Sequence, residues 1–398
     1  MERLISAFGL IVMLALAWLC SEQRKNMNWR LILSGVGLQL LFAVLILWTT
    51  PGQWFFEGAR VLVARILSFS DEGARFVFGD DFQHHFVAFS VLSTIVFVSS
   101  LTAVLFHLGV IQWVVKLMAK LMVWVMDTSG SESLAASANV FMGQTEAPLV
   151  IKPYLATMTR SELLSMMTGG MATVSGGMMA AYAGMGADPG HLLAASIMSA
   201  PATLVLAKVL LPEKEVSPTK GVVTVHVPHN DANLLDAACR GASEGLRLAL
   251  NVGAMLIAFI ALVTMFNWCI SFIQIGDSPI TLQRLLGWVC APIAWLMGVT
   301  WAEAPQVGQL LGEKTILNEF YAYGDLIAMK DQISQRSFTI ATYALCGFAN
   351  FASIAVQIGG IGSLAPERRP DMARLGLKSL IGGTLAAFMT ACIAGMLI

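Results

Sequence analysis

Eight stretches of this 398-residue chain contain no Asp, Glu, Lys or Arg and are long enough, or nearly so, to cross a bilayer as helices. They are 4–21, 31–56, 86–115, 163–187, 189–207, 248–276, 337–366 and 379–398. About 20 mostly apolar residues span a hydrocarbon core. A helix is the element that satisfies its own backbone there, so the fold class is an all-α polytopic membrane protein with eight transmembrane helices. A ninth run, 285–302, is shorter and holds Pro292. Only 12% of residues are charged, against about 25% in soluble domains. A net charge of −1 leaves no basic footprint for nucleic acid; the partner implied is the lipid bilayer.

Positive charges orient the spans. Arg24, Lys25 and Arg30 follow the first run, which reads as a retained helix. Lys116, Lys120, Lys152, Arg160, Lys208, Lys214, Lys220, Arg240, Arg368, Arg369, Arg374 and Lys378 then fall inside. The segment 57–81, with three Arg and five acids, reads as an outer loop. Both termini lie outside a cytoplasmic (inner) membrane. The count closes only if two apolar but charge-broken segments, 131–160 and 285–328, are re-entrant hairpins. Such backbone is tolerated at membrane depth only under protein or water.

Four parts follow: N-terminal scaffold helices and an outer loop (1–85), a first repeat (86–211), an amphipathic connector (212–247) and a second repeat (248–398). Residues 233–247 of the connector read as a helix along the membrane surface. Each repeat runs span, hairpin, Gly-interrupted span, span. Glu146 matches Glu319 at an offset of 173, and the run Met167 to Thr173 matches Ala344 to Asn350 at an offset of 177. The hairpins enter from opposite sides, so the repeats are inverted, the sequence mark of a secondary transporter with its site at the midplane.

Polar residues at that depth are functional candidates. Gly143-Gln144-Thr145-Glu146-Ala147-Pro148 breaks the first hairpin and offers donors and acceptors suited to a neutral ligand edge. In Asn318-Glu319-Phe320, the Glu319 carboxylate can accept from two adjacent hydroxyls, as on a sugar. Asn350 and Ser353 interrupt the seventh span beside Phe348, an apolar wall or stacking face. Thr173-Val174-Ser175 interrupts the fourth span, and Asn139 precedes the first tip by one turn. Oxygen donors without an acid cluster suit a monovalent cation. No nucleophile set appears, which disfavours an enzyme, and the six cysteines carry no metal or disulfide spacing.

With these motifs in view the chain resembles the concentrative nucleoside transporter family. Gly143 to Leu149 followed by Met167-Thr168-Gly169-Gly170 is similar to the family's first signature. Asn318-Glu319-Phe320 and Gly347 to Phe351 are similar to its second. The resemblance covers nearly the whole chain. It implies a homotrimer of eight spans and two hairpins, and an elevator in which a transport domain slides past a trimeric scaffold. It implies that Gln144, Thr145 and Glu146 face the nucleobase, that Glu319, Asn350 and Ser353 hold the ribose, and that Phe348 and Met178 line the pocket. It places sodium among Asn139, the Met142 and Val174 carbonyls and Thr173, which stands where Ser is usual. The expected function is cation-coupled import of nucleosides such as uridine, with sodium as coupling ion and no cofactor. A proton-coupled symporter using Glu146 or Glu319, and a passive channel, are the competing readings.

Overall fold

A computed structural model describes residues 1–221, 231–272, 274–275 and 278–398. Residues 222–230 of the connector and Gly276, the end of the sixth run, lie outside the described residues. The chain opens with α1 (Glu2–Leu19) and α2 (Trp29–Trp48), the latter capped by Asn28, whose side chain accepts from the Leu31 N–H. α2 does not continue to residue 56. Thr49 ends it in extended backbone and caps α3 (Thr50–Phe78), with Pro51 in the first turn where a missing N–H costs nothing. The expected outer loop 57–81 is therefore mostly helix. The charges are spaced along one helix: Ala59, Ser70 and Ala74 are buried while Trp54, Phe69 and Phe76 are exposed.

Among the described residues two sets of seven α-helices follow in matching order. The first is α4 (Leu92–His107), α5 (Val110–Met126), α6 (Gly130–Ala138), α7 (Ala147–Val150), α8 (Arg160–Ala172), α9 (Gly176–Met185) and α10 (Pro189–Leu210). The second is α11 (Leu234–Ile270), α12 (Leu282–Leu296), α13 (Ala304–Ile316), α14 (Glu319–Ala328), α15 (Gln335–Leu345), α16 (Phe351–Leu364) and α17 (Arg369–Leu397). Strand among the described residues is one pair of two-residue segments, Gln274–Ile275 with Ser278–Pro279.

Among the described residues six helices are long and apolar enough to cross a membrane: α1, α2, α4, α10, α11 and α17. The runs 163–187 and 337–366 are instead helix pairs, α8 with α9 and α15 with α16. α10 and α17 form the centre, with 89% and 78% of their apolar windows buried against 11% for α11.

Four expectations change here. The run 86–115 ends as a helix at His107, because Gly109 adopts φ 80° and starts α5 in a new direction. The surface helix 233–247 is not separate: α11 runs unbroken from 234, and nothing between Arg247 and Leu248 stops a helix. The second hairpin is shorter than 285–328, because α12 is a helix of its own and the turn at Leu317 and Asn318 joins α13 to α14. The repeat offset of 177 also shifts. Thr173 and Cys346 end the first half-helices, 173 apart, and Ser175 and Asn350 cap the second halves, 175 apart. The second break is two residues longer, so a Gly-to-Gly match overshoots it.

A buried ionic network ties the first hairpin to the strap after α10. Lys208 Nζ lies 2.9 Å from both Glu132 Oε2 and Glu213 Oε2 and donates to Ser161 Oγ at 3.0 Å. Glu162 accepts from Ser217 and Ser131 hydroxyls and from the Thr159 N–H. Removing one partner of a buried pair strands the other charge at a cost of about 3–5 kcal/mol. Lys208→Met should therefore lower the thermal midpoint in detergent micelles, and adding Glu132→Gln should recover part of the loss. An unchanged midpoint for Lys208→Met would deny the network a stabilising role.

Candidate functional site

The site is built from helix ends. α8 stops at Thr173 and α9 starts after Ser175, whose hydroxyl accepts from Met178 N–H. α15 stops at Cys346, and α16 starts after Asn350, whose Oδ1 accepts from the Ser353 N–H at 2.8 Å. Gly347 sits between them at φ 127°, and a Cβ there would meet Met171 O at 2.7 Å, so both backbone sign and space demand glycine. Asn318 caps α14 in the same way, accepting from Tyr321 N–H at 2.9 Å. Three helix N-termini thus open on one region with their partial positive charge.

A cavity of about 170 Å³ lies there, roughly ten times what one ordered water needs. All eight residues expected to touch substrate line it: Gln144, Thr145, Glu146, Met178, Glu319, Phe348, Asn350 and Ser353. Glu319 is 4% exposed. Its Oε1 accepts from Tyr182 Oη at 2.9 Å and its Oε2 from Asn350 Nδ2 at 3.0 Å. Each oxygen keeps acceptor capacity for a ligand hydroxyl. Gln144 Nε2 donates to Ser353 Oγ at 3.2 Å, joining the first tip to α16, while Gln144 Oε1 has no protein donor among the described residues. Glu146 Oε2 accepts from its own turn at Gly143 N–H, 3.2 Å. Thr145 packs its methyl toward Gly360 of α16.

Of the four residues expected to hold a cation, Asn139 and Thr173 lie against the same glycine of α8, and Met142 and Val174 belong to the turn and the helix break that face each other. Asn139 is 1% exposed; its Nδ2 donates to Ala135 O, and its Oδ1 has no donor among the described residues. Thr173 Oγ1 donates to Gly169 O at 2.9 Å, which leaves its lone pairs free. Asn139 abuts the same Gly169. The Gly176 N–H donates to Phe141 O, which draws the 141–143 turn against the 173–176 break. Among the described residues no donor reaches the Met142 or Val174 carbonyls. An orphaned amide oxygen, a hydroxyl and two free carbonyls are an oxygen set fit for a monovalent cation.

Two contributors escape a reading of the sequence alone. Tyr182, fully buried and stacked on Tyr323 with ring centroids 4.3 Å apart, looks like core until its bond to Glu319 is seen. Asn251 lines the cavity from α11 with Leu248, Val252 and Met255; an Asn in an apolar span is its only signal. On the other side of Glu146 a second, smaller cavity leads to Asp231, Arg240 and Glu244. The hydrogen bond from Arg240 to Asp231, 2.7 Å at its shorter arm, holds the Asp231 carboxyl below its ordinary range.

Comparisons with known proteins agree along the chain. Residues 8–81 match the description "Na+ dependent nucleoside transporter N-terminus", 88–189 "Nucleoside recognition" and 191–395 "Na+ dependent nucleoside transporter C-terminus". The whole chain is 43% identical to the whole of YutK, an uncharacterized transporter of Bacillus subtilis strain 168. It is 41% identical to solute carrier family 28 member 3 of Homo sapiens and 40% identical to sodium/nucleoside cotransporter 1 of Mus musculus, spanning 60% and 64% of those longer proteins. Its structure is similar to CNTnw in an inward-facing substrate-bound state, with TM-score 0.92 and 39% identity over all of this chain and 98% of that one. A doubly substituted CNTnw in an outward-facing state gives TM-score 0.94 at the same identity, over all of this chain and 99% of that one. This chain is a multi-pass membrane protein and belongs to the Na+-dependent nucleoside transporter family.

Proposed function

We propose that this chain is a sodium-coupled symporter, not an enzyme, that imports nucleosides such as uridine across the cytoplasmic membrane. The observation that carries the reading is the single cavity that gathers all eight substrate candidates, with an orphaned Asn139 oxygen on the first hairpin. Glu319, Asn350 and Ser353 hold the ribose hydroxyls. Gln144, Thr145 and Glu146 face the base, and Phe348 and Met178 close the apolar sides. Sodium binds Asn139 Oδ1, Thr173 Oγ1 and the Met142 and Val174 carbonyls. The cavity's Lys-free and Arg-free lining suits an uncharged nucleoside rather than a nucleotide.

The mechanism proposed is an elevator. α6–α9 and α13–α16 carry the cavity as inverted re-entrant and broken-helix units. α4 and α11 belong to a scaffold that forms a homotrimer, for which the bare apolar length of α11 is the support. Eight spans with both termini outside complete the topology. One sodium ion per nucleoside suffices as drive. A charge falling through 100 mV yields about 2.3 kcal/mol, and a tenfold sodium gradient adds about 1.4 kcal/mol. Together these support accumulation of roughly 500-fold.

Glu319→Gln should nearly abolish uridine binding. The amide presents a donor where Tyr182, Asn350 and the ribose all need acceptors, and each mispaired buried group costs about 1–3 kcal/mol. Unchanged uridine affinity by calorimetry would remove Glu319 from the site.

Hydroxyl recognition should outweigh base identity, since a site built to bond a hydroxyl rejects ligands that lack it. In competition uptake assays, 3′-deoxyuridine should compete poorly and cytidine measurably. Equal competition by 3′-deoxyuridine and uridine would contradict the ribose roles.

Sodium should tighten uridine binding and uridine should tighten sodium binding by the same factor. Asn139→Ala should weaken the sodium dependence before it alters which nucleosides compete. Full accumulation of uridine without sodium, driven by an imposed pH gradient, would replace the sodium reading with the proton-coupled one.

A further inference from the structure

Two half-helices of this fold end against each other. α8 stops at Thr173 and α15 at Cys346. They meet at Gly347, where a Cβ would lie 2.7 Å from the Met171 carbonyl oxygen and 2.8 Å from the Ala172 carbonyl carbon. Both are helix C-termini, each carrying about half a negative elementary charge on carbonyls without intrahelical partners. Two such ends in contact repel each other, and a positive charge at each end relieves the repulsion.

In the first repeat that charge is the sodium ion of the proposed symport. In the second repeat a side chain supplies it. Lys314 on α13 is 1% exposed, and its Nζ donates to the carbonyl of Ala344, in the last turn of α15, at 2.9 Å. This bond goes to a backbone carbonyl and not to a carboxylate. A buried ammonium is tolerated only where something negative faces it, and the carbonyl end of α15 is that feature. The surroundings repeat as well. Thr342 O accepts from Tyr323 Oη at 2.8 Å, as Gly169 O, at the corresponding place in α8, accepts from Thr173 Oγ1 at 2.9 Å. Lys314 lines neither the nucleoside cavity nor the smaller one beyond Glu146.

We propose that Lys314 is a tethered cation that does for the second repeat what sodium does for the first. Its ammonium holds the carbonyl end of α15 against the arm of the second hairpin. The hairpin turn that follows Lys314 carries Glu319, and the break that follows Ala344 carries Asn350, and these two side chains bond each other at 3.0 Å. Lys314 therefore bridges the same two units as the Asn350 to Glu319 bond and fixes where that bond forms. It is a positioning residue that acts through α15. An exchangeable ion responds to a gradient and a tethered one does not, so two repeats of like build come to differ in their response to sodium.

The inference rests on the sodium-coupled nucleoside reading. In purified protein at saturating sodium, Lys314→Ala should bind uridine at least about tenfold more weakly by calorimetry, the loss of one charge-assisted hydrogen bond. Ethylammonium should restore most of that affinity by entering the vacated space beside the Ala344 carbonyl, whereas ethanol, of similar size and uncharged, should not. Lys314→Met fills the space without a charge; it should bind uridine as weakly and gain nothing from ethylammonium. Wild-type affinity in Lys314→Met, or a Lys314→Ala defect that ethylammonium leaves in place or ethanol repairs equally well, would overturn the proposal. If Lys314→Ala does not fold, the affinity of Lys314→Met decides alone. Thermal midpoints give a readout free of substrate: ethylammonium should raise that of Lys314→Ala and leave that of Lys314→Met unchanged. Uridine binding that is absent or indifferent to sodium in the wild-type protein would overturn the parent reading instead, and the midpoints would still decide for or against the tethered cation.

Discussion

An interrupted helix inside an apolar protein is the constraint on which the rest of this structure depends. Each new end leaves up to four backbone N–H or C=O groups without intrahelical partners, and hydrocarbon supplies none. The chain meets the demand with short polar caps, Ser175, Asn318 and Asn350, and with one turn paired to the neighbouring break through Gly176 and Phe141. The cavity's place, polarity and small size are consequences of where four helices stop.

The same ends explain how a carboxylate survives there. Glu319 opens α14, where the helix N-terminus favours negative charge, and Tyr182 and Asn350 each donate to one of its oxygens. Lys314, also buried, donates instead to the Ala344 carbonyl of α15. A buried charge needs this degree of partnership to be tolerated. The arrangement also fixes the orientation of the carboxylate, so that its remaining lone pairs point to one ligand pose rather than several.

Much of this was legible in the sequence because breaking a helix requires particular residue types. Gly143 and Pro148 at the first hairpin turn, Asn318 at the second, and Thr173, Ser175, Gly347, Asn350 and Ser353 at the two helix breaks are poor choices for lipid-facing helix. The eight residues expected to touch substrate line the cavity. What stayed hidden has a physical pattern too. Tyr182 acts through a hydroxyl on an otherwise apolar side chain, which patterning counts as core. α3 was missed because its charges are spread along a helix face, and a count of charge without its period reads as loop. The continuity of α11 was missed because polarity changes at Leu248 while helix-forming geometry does not.

In the proposed reading the nucleoside cavity and the sodium site meet at a pair of glycines, which gives coupling a material basis. A Cβ at Gly169 would lie 2.9 Å from Asn139 Nδ2, and one at Gly170 would lie 2.8 Å from both Gln144 Cβ and Gln357 Nε2. Adjacent residues of α8 therefore bear Asn139 and Gln144 of the same hairpin. Gln357 in turn donates to the Met167 carbonyl, which ties α16 to α8. An ion that draws in Asn139 Oδ1 sets the first tip against α8, and the same placement sets Gln144 toward Ser353. In the proposed reading, each ligand organises the turn the other needs. The mutual tightening that linkage requires then follows from close packing across two residues without side chains, with no long-range relay.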